Sequence, residues 1–449
     1  MRGVAVERFD VIVIGTGVSG ETAAAALAAA GKRVAAVDRR EFGGTCTLRG
    51  CEPKKVLFNA AEVVERARGQ ASGGISGHVV IDWPALIAFK RTFTDPAPRR
   101  IEEWLTASGV TALHGTATFL DPETLRVGAE SFHPEHVIIA TGARPIPLEV
   151  PGADLLVDSE GFMAGDRLGS RIAFVGGGYI SVEFAHIAAA AGAGVVIIGR
   201  GPHLLGGFDP DLADLLARSY RDAGIDVRTG MAVVEVRRID GALEVVLGDG
   251  SVVACDTAVH GAGRVPDLDA LDLNAGGVAF GRHGVTVDSG MRSVSNPHVY
   301  AVGDAAASGP PLTPVGIAQG RVAARNIAGD GLSSFDGAIV PSAVFADPPL
   351  ASVGLSESDA RARGLDMDVR FKDSSAWVSS RRVGVRASGA KILVDKGSDL
   401  IVGAHLLGHS AEEVINLFAL AMRCGTTATE LRDAMWSYPT ASYEVVDLL

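Results

Sequence analysis

The sequence carries the same strand–turn–helix–strand signal twice, and that repetition restricts the fold more than any other feature. The first copy opens on the apolar run Asp10-Val11-Ile12-Val13-Ile14. It passes through Gly15-Thr16-Gly17-Val18-Ser19-Gly20 and continues into an Ala-rich helix over 21–30. Gly31 can end that helix, and Val34 to Val37 reads as a second strand with Asp38 directly after it. A short β-branched run of this kind suits a strand buried on both faces of a parallel sheet. The second copy is the strand Ile172-Ala173-Phe174-Val175, the turn Gly176-Gly177-Gly178-Tyr179-Ile180-Ser181, another Ala-rich helix, and the strand Val195-Val196-Ile197-Ile198. A G-x-G-x-x-G string alone is a weak signal. Preceded by a strand, opening a helix and followed by an acid past the second strand, it is the fingerprint of a dinucleotide-binding βαβ unit. Gly15 permits the tight turn, Gly17 lets the backbone approach a pyrophosphate, and Gly20 lets helix and strand pack closely. The helix N-terminus turns free N–H groups and a positive dipole end towards the phosphates. Asp38 is placed to accept both hydroxyls of a ribose.

The second unit differs at its acid. Gly176 and Gly178 are kept and Ser181 is the small third residue, but the second strand runs into Gly199-Arg200. No acid stands where a ribose 2′-hydroxyl would be held, and Arg200 can pair with a 2′-phosphate. The expected nicotinamide cofactor is therefore NADPH. NADH is the alternative if Arg200 is only a solvated charge.

The 449 residues, at roughly 100–200 per domain, suggest about three domains. Between the two units lie an amphipathic helical stretch around 52–68 and a mixed segment reaching Ala140-Thr141-Gly142. A strand-rich stretch, 226–263, follows the second unit. Then come Tyr300-Ala301-Val302-Gly303-Asp304 and a helix-like run from Val315 to Ile327. From about 336 the pattern changes: alternating strands such as 391–394 and 401–407 mix with helices such as 410–423, as in a separate α+β domain. The fold class is α/β, with two Rossmann-like nucleotide-binding domains and a C-terminal α+β domain.

A formal net charge of −12 argues against nucleic acid as a partner, because an acidic surface repels phosphate backbones. No polybasic run borders an amphipathic helix, and no stretch of about 18 uninterrupted apolar residues exists, so no membrane partner is expected. The first nine residues lack the apolar core of a secretory signal, and the expected location is cytoplasmic.

Four cysteines in this length are too few for a disulfide framework. Cys255 and Cys424 lie in apolar surroundings and read as small buried hydrophobes. The other two belong to Phe42-Gly43-Gly44-Thr45-Cys46-Thr47-Leu48-Arg49-Gly50-Cys51-Glu52-Pro53-Lys54-Lys55. Thiols near a helix N-terminus and near lysines are expected to have lowered pKa values, which favours the reactive thiolate. Gly50 relieves crowding as a bridge closes between Cys46 and Cys51.

With these motifs the sequence resembles the class I pyridine-nucleotide disulfide oxidoreductases, the family of glutathione reductase, dihydrolipoamide dehydrogenase and mercuric reductase. The resemblance covers nearly the whole chain. It runs from Gly44-Thr45-Cys46 through Lys55, Ala140-Thr141-Gly142, Gly178-Tyr179-Ile180 with Glu183, Gly263-Arg264 and Pro266, Gly303-Asp304, and Leu312-Thr313-Pro314-Val315. It continues through Val344-Phe345, Pro348-Pro349 and Val353-Gly354-Leu355. It implies FAD in the first nucleotide site and a domain plan of 1–147 and 266–335 for FAD, 148–265 for NAD(P), and 336–449 for dimerisation. It also implies roles. Cys51 would lie against the flavin and Cys46 would attack the acceptor. Lys54 or Lys55, paired with Glu183, would face the flavin ring. Gly44, Thr45, Thr141, Gly142, Gly263 and Arg264 would contribute to cofactor binding, and Asp304 would hold the ribityl chain. The helix after Leu312-Thr313 would point its positive end at the flavin. Tyr179, beside Ile180, would cover the nicotinamide pocket.

The pattern also departs from the family. The C-terminal His-Pro-Thr motif and the Glu five residues on read here as Tyr438-Pro439-Thr440-Ala441-Ser442-Tyr443, so both members of the acid–base dyad are replaced. A phenol of pKa about 10 is a poor proton shuttle at neutral pH. Glutathione reductases carry an Arg pair that holds substrate carboxylates where this chain has Ala25 and Ala26. Mercuric reductases share the Tyr but end in a vicinal Cys pair, and the last five residues here are Val445-Val446-Asp447-Leu448-Leu449. In the family this C-terminal motif reaches the partner's active site, which implies a homodimer with Tyr438 completing a shared site. Trp377 to Arg382 reads as a solvated surface turn, with an anionic-acceptor contact as the other reading. Three functions stay open: reduction of a disulfide acceptor, reduction of metal ions or quinones without the dyad, and a flavin-bound redox sensor with little turnover. No resident metal is expected.

Overall fold

The computed structural model describes residues 8–329, 332–446 and 448–449. The readings placed on residues 1–7 and on Asp447 lie outside the described residues. The chain divides into two compact units. The first runs to Lys54 and adds Phe89–Ile146 and Arg264–Gly337; the second comprises Lys55–Ala88, Pro147–Gly263 and Ala338–Leu449.

The first fingerprint folds as read. Val11–Ile14 (β1) leads through the Gly-rich turn into Val18–Ala29 (α1), and Val34–Asp38 (β2) returns parallel to β1. Gly15 has φ +106°, and a Cβ there would run into the Ala140 carbonyl, so only glycine fits. The helix begins three residues before the expected start, because the last turn of the fingerprint is already helical. Gly44–Arg49 (α2) and Cys51–Gly69 (α3) follow, separated by Gly50 alone. Val110–His114 (β3) and His136–Ile139 (β4) extend the sheet.

The second fingerprint gives Arg171–Val175 (β5), Tyr179–Ala190 (α4) and Gly194–Ile198 (β6). Pro210–Asp222 (α5), Asp226–Arg228 (β7) and Thr257–His260 (β8) complete a parallel sheet ordered β7-β6-β5-β8. In β5 the period of two sends Ile172 and Phe174 into one apolar core and Ala173 and Val175 into another.

The chain then returns to the first unit with Val299–Ala301 (β9) and Thr313–Ala328 (α6). That unit's parallel sheet is ordered β9-β4-β1-β2-β3. Ile12 and Ile14 face one core, while Val11 and Val13 face the core filled by α1 and α6. The two helices approach closely through glycine: a Cβ at Gly320 would lie 2.6 Å from the Ser19 carbonyl oxygen.

The last stretch forms an antiparallel sheet, typical of an α+β arrangement. Its strands are Ser342–Val344 (β10), Leu350–Gly354 (β11), Met367–Asp373 (β12), Gly389–Asp395 (β13) and Ile401–Leu407 (β14), in the order β10-β11-β14-β13-β12, with Ala411–Cys424 (α7) packed on it. Within the second unit one apolar core takes in Phe184 and Leu216 from the nucleotide-binding part and Leu350 and Leu407 from this sheet. Lys391 of β13 is buried beside them, with Nζ 2.8 Å from Asp209, 2.5 Å from Asp211 and 3.2 Å from Glu357.

Two expectations are corrected. Cys255 is buried, but Cys424 is exposed, because it ends α7 against Gly425 rather than facing the sheet. Trp377 to Arg382 is not a simple turn. Val378–Val383 is a short helix with Ser380 buried and both arginines exposed.

Candidate active site

The cysteine pair is held by a break between two helices. Cys46 lies inside α2 and Cys51 opens α3. Gly50 sits between them at φ −143° and ψ −111°, and a Cβ there would stand 2.8 Å from the Thr45 carbonyl oxygen. A side chain at that position would push the two helices apart. Thr313, the first residue of α6, brings its hydroxyl to both sulfurs, 3.2 Å from Cys46 Sγ and 3.7 Å from Cys51 Sγ. The positive end of a 16-residue helix therefore faces the pair.

The expected lowering of the thiol pKa fails at Cys46. Its thiol is pushed up, chiefly by the hydrogen-bonded Cys51 thiol, then by burial, with the Glu52 carboxylate adding to both and Thr313 opposing them. Glu52 accepts a hydrogen bond from Thr47 Oγ1 at 3.3 Å.

Around the first fingerprint, buried polar groups await a partner of the kind FAD offers. Thr141 Oγ1 is buried without a hydrogen-bond partner among the described residues, next to the Ala140 carbonyl that Gly15 abuts. The Asp304 carboxyl is pushed up by burial, with Arg264 opposing, as suits an acid that meets hydroxyls rather than a cation. Asp38 ends β2, but its carboxylate already accepts Thr16 N at 2.9 Å, Thr16 Oγ1 at 2.7 Å and Arg40 N at 2.9 Å. With about four lone-pair sites on a carboxylate, it has room for one ribose hydroxyl rather than both. Gly17 and Gly44 face each other, with the Gly44 Cα 3.7 Å from where a Gly17 Cβ would stand. Thr45 follows in α2, Gly142 has open space above its Cα, and Arg264 donates to the Ala143 carbonyl. Leu312 is the N-cap residue of α6. These residues fit the group that the sequence assigned to them.

The second unit brings Lys55 to Glu183. Lys55 Nζ lies 3.6 Å from Glu183 Oε2 and 3.2 Å from the centroid of the Phe345 ring. Glu183, 2% exposed, also accepts the Phe345 N–H at 2.9 Å. Lys54 is buried in the first turn of α3. Phe345 thus holds the pair from both ends. The sequence reading quoted Val344-Phe345 but gave it no role. Gln319 was missed as well. It is fully buried, accepts the Gly303 N–H at 2.7 Å and donates to the Ser308 carbonyl at 2.6 Å, fixing the loop that carries Asp304.

Gly176 has φ +121°, Gly178 caps α4, and Ile180 is buried behind a Tyr179 that is 46% exposed. Ser181 Oγ, at the same helix start, is buried without a hydrogen-bond partner among the described residues. Arg200 is exposed just past β6, and Gly263 has φ +121°. Tyr438 is 77% exposed and meets Tyr443 edge-on, with ring centroids 5.1 Å apart, so the two residues that replace the dyad are themselves a contacting pair.

Among the described residues no helix is long and apolar enough to cross a membrane, and no group of three or more His, Cys, Asp or Glu is placed to hold a metal ion.

Comparison with known proteins shows the family. Residues 9–320 match the family described as pyridine nucleotide-disulphide oxidoreductase, and residues 340–449 match its dimerisation domain. The chain is 35% identical to a glutathione reductase of Burkholderia cepacia over 445 residues, covering 98% of each. It is 31% identical to a dihydrolipoyl dehydrogenase of Haloferax volcanii over 458 residues, covering 98% of this chain and 95% of that one. The Cu(II) complex of the HOCl-induced flavoprotein disulfide reductase RclA from Escherichia coli superposes with a TM-score of 0.89 at 28% identity, covering 99% of each chain. These relatives are enzymes that use a flavin and a pyridine nucleotide. The chain belongs to the pyridine nucleotide-disulphide oxidoreductases.

Proposed function

We propose that this enzyme uses NADPH and FAD to reduce a small disulfide acceptor through Cys46 and Cys51. The observation that carries the reading is the Thr313 hydroxyl within reach of both sulfurs, which puts the pair and the positive end of α6 at one point. When bound, FAD supplies two-electron transfer between nicotinamide and sulfur. The chain's residues do the rest. Thr141 and Asp304 hold the cofactor, Lys55 with Glu183 provides a fixed cation, and Cys46 serves the acceptor. The C-terminal dimerisation domain is read as forming a homodimer in which Tyr438 completes the partner's site. The proposed location is cytoplasmic. Anaerobic titration with NADPH tests the core of this reading. A long-wavelength absorbance, from a thiolate lying against the oxidised ring, should appear after two-electron reduction. Its absence would remove the cysteine pair from the electron path.

NADPH preference rests on Arg200. Arg200→Glu should lower kcat/KM for NADPH relative to NADH by about 10- to 100-fold, the worth of a charge-assisted contact to phosphate. An unchanged ratio in steady-state assays with both cofactors would leave Arg200 a bystander.

A second reading is favoured by the exposed Tyr438 and by the similarity to a flavoprotein solved as a Cu(II) complex: reduction of a metal ion as substrate. Tyr438→Phe, which keeps the ring and removes the hydroxyl, separates the two. Loss of Cu(II) reduction with disulfide turnover kept would favour the metal.

A further inference from the structure

A lysine ammonium on a four-carbon stem can occupy many positions, and the Lys55 side chain is 28% exposed, so water competes for it. An aromatic residue far along the chain gives it a seat. Phe345 follows β10 directly, and that strand is anchored by the pairing of Val344 with Leu350 of β11. Lys55 Nζ lies over the Phe345 ring, 3.2 Å from its centroid. Phe58, three positions after Lys55 and on the same face of α3, meets that ring at 83° with centroids 5.7 Å apart. Its own centroid is 5.9 Å from Nζ. Phe58 is buried and also packs on His186 of α4. One turn of α3 therefore presents an ammonium to the face of Phe345 and a second ring that holds Phe345 in place.

The carboxylate belongs to the same arrangement. The Phe345 N–H donates to Glu183 Oε1 at 2.9 Å, while Lys55 Nζ stands 3.6 Å from Oε2. A direct charge-assisted bond between an ammonium and a carboxylate oxygen is about 2.7–2.9 Å long. One residue thus sets both members of the pair, the carboxylate by a backbone hydrogen bond and the ammonium by a π-face. The two partners act differently on the charge. A carboxylate cancels an ammonium. An aromatic ring carries a quadrupole and no net charge, so it stabilises the cation and leaves it a cation. Leucine at 345 would fill similar space and keep the N–H, but it would give the ammonium no seat, and Lys55 would move towards Glu183 or water.

We propose that Phe345 is the positioning residue of this cation: its ring fixes the Lys55 ammonium at one point beside Glu183 without neutralising it. The inference rests on the reading of Lys55 with Glu183 as the fixed cation for bound FAD. A cation held in place favours electron density arriving on the flavin, so displacing it makes the bound flavin harder to reduce.

The test is the midpoint potential of FAD in the full-length holoenzyme, joined to NMR of the same protein labelled with 13C at lysine Cε. The chain has seven lysines, few enough to follow singly. The ring current of Phe345 should place the Lys55 Cε protons upfield of the others, and Lys55→Met assigns that signal by losing it. Lys55→Met should also lower the potential. Phe345→Leu should lower it in the same sense and return the Lys55 signal to the ordinary range. Phe345→Tyr, which keeps the ring, should match wild type in both. A missing upfield signal overturns the proposal, and so does a wild-type potential in Phe345→Leu where Lys55→Met lowers it. Should Phe345→Leu fail to fold, a trifluorinated phenylalanine at 345 decides, since it keeps the shape and weakens the negative face: a lower potential supports the role and an unchanged one overturns it. If Lys55→Met leaves the potential unchanged while the wild-type signal is upfield, the reading of Lys55 as the flavin's cation fails and its seating by Phe345 stands.

Discussion

Cys46→Ser should abolish turnover of a small disulfide, by on the order of 1,000-fold or more, while NADPH-driven reduction of an artificial one-electron dye continues. The size of the loss follows from what a hydroxyl cannot do. Serine forms no sulfur–sulfur bond with the acceptor, and its proton is far harder to remove than a thiol's. Removal of a nucleophile commonly costs this much or more. Cys51 is exposed, so it can still attack an acceptor slowly, but without Cys46 nothing resolves the resulting mixed disulfide. The dye control matters because it separates a dead cysteine pair from a protein that has lost its cofactor. If Cys46→Ser kept a tenth of the wild-type disulfide rate with normal dye reduction, electrons would be reaching the disulfide by another route.

Lys391→Ala should cost about 3–5 kcal/mol of folding stability, read as a lower denaturant midpoint. The lysine is 3% exposed at its side chain and is the shared cation of Asp209, Asp211 and Glu357. Asp209 has no side-chain exposure, and its carboxylate also caps α5 through the N–H groups of Asp211 and Leu212. Removing the ammonium leaves that carboxylate buried with no compensating charge. Burial alone would depress the lysine, but Asp209, Asp211 and then Glu357 outweigh it and hold the group above the usual lysine range. Because the folded pKa is raised, the stabilisation is complete below the unfolded value of about 10.4 and fades only as pH rises above it. The midpoint difference between wild type and Lys391→Ala should therefore be constant across neutral pH. A double variant that also replaces Asp209 with Asn should recover part of the loss. A single variant within 1 kcal/mol of wild type would mean that solvent reaches the cluster.

Much of this was legible in the sequence, and the reasons differ from residue to residue. The two glycine-rich turns were readable because their chemistry is local: Gly15 must adopt φ +106° whatever the rest of the chain does. Strand β14 was readable because a strand's period is short. The meeting of Lys55 with Glu183 was not readable in the string, since the two lie far apart in sequence and only packing brings them together. Phe345 and Gln319 act through contacts with residues far along the chain, and nothing near them in sequence signals that. The Cys46 thiol went against expectation for a different reason. A helix end and two lysines are visible in the string, but the hydrogen bond from the second sulfur and burial decide the outcome in the folded chain.

One threonine has a single hydroxyl proton and two sulfurs to serve. It can satisfy only one at a time, so it should swing like a weathervane towards whichever carries negative charge. Once a bridge joins the sulfurs, neither is charged and the rotor has little reason to point at them. A side chain that rewards only the opened, anionic couple tips the balance towards that couple, and valine in its place would fill the same space without taking sides.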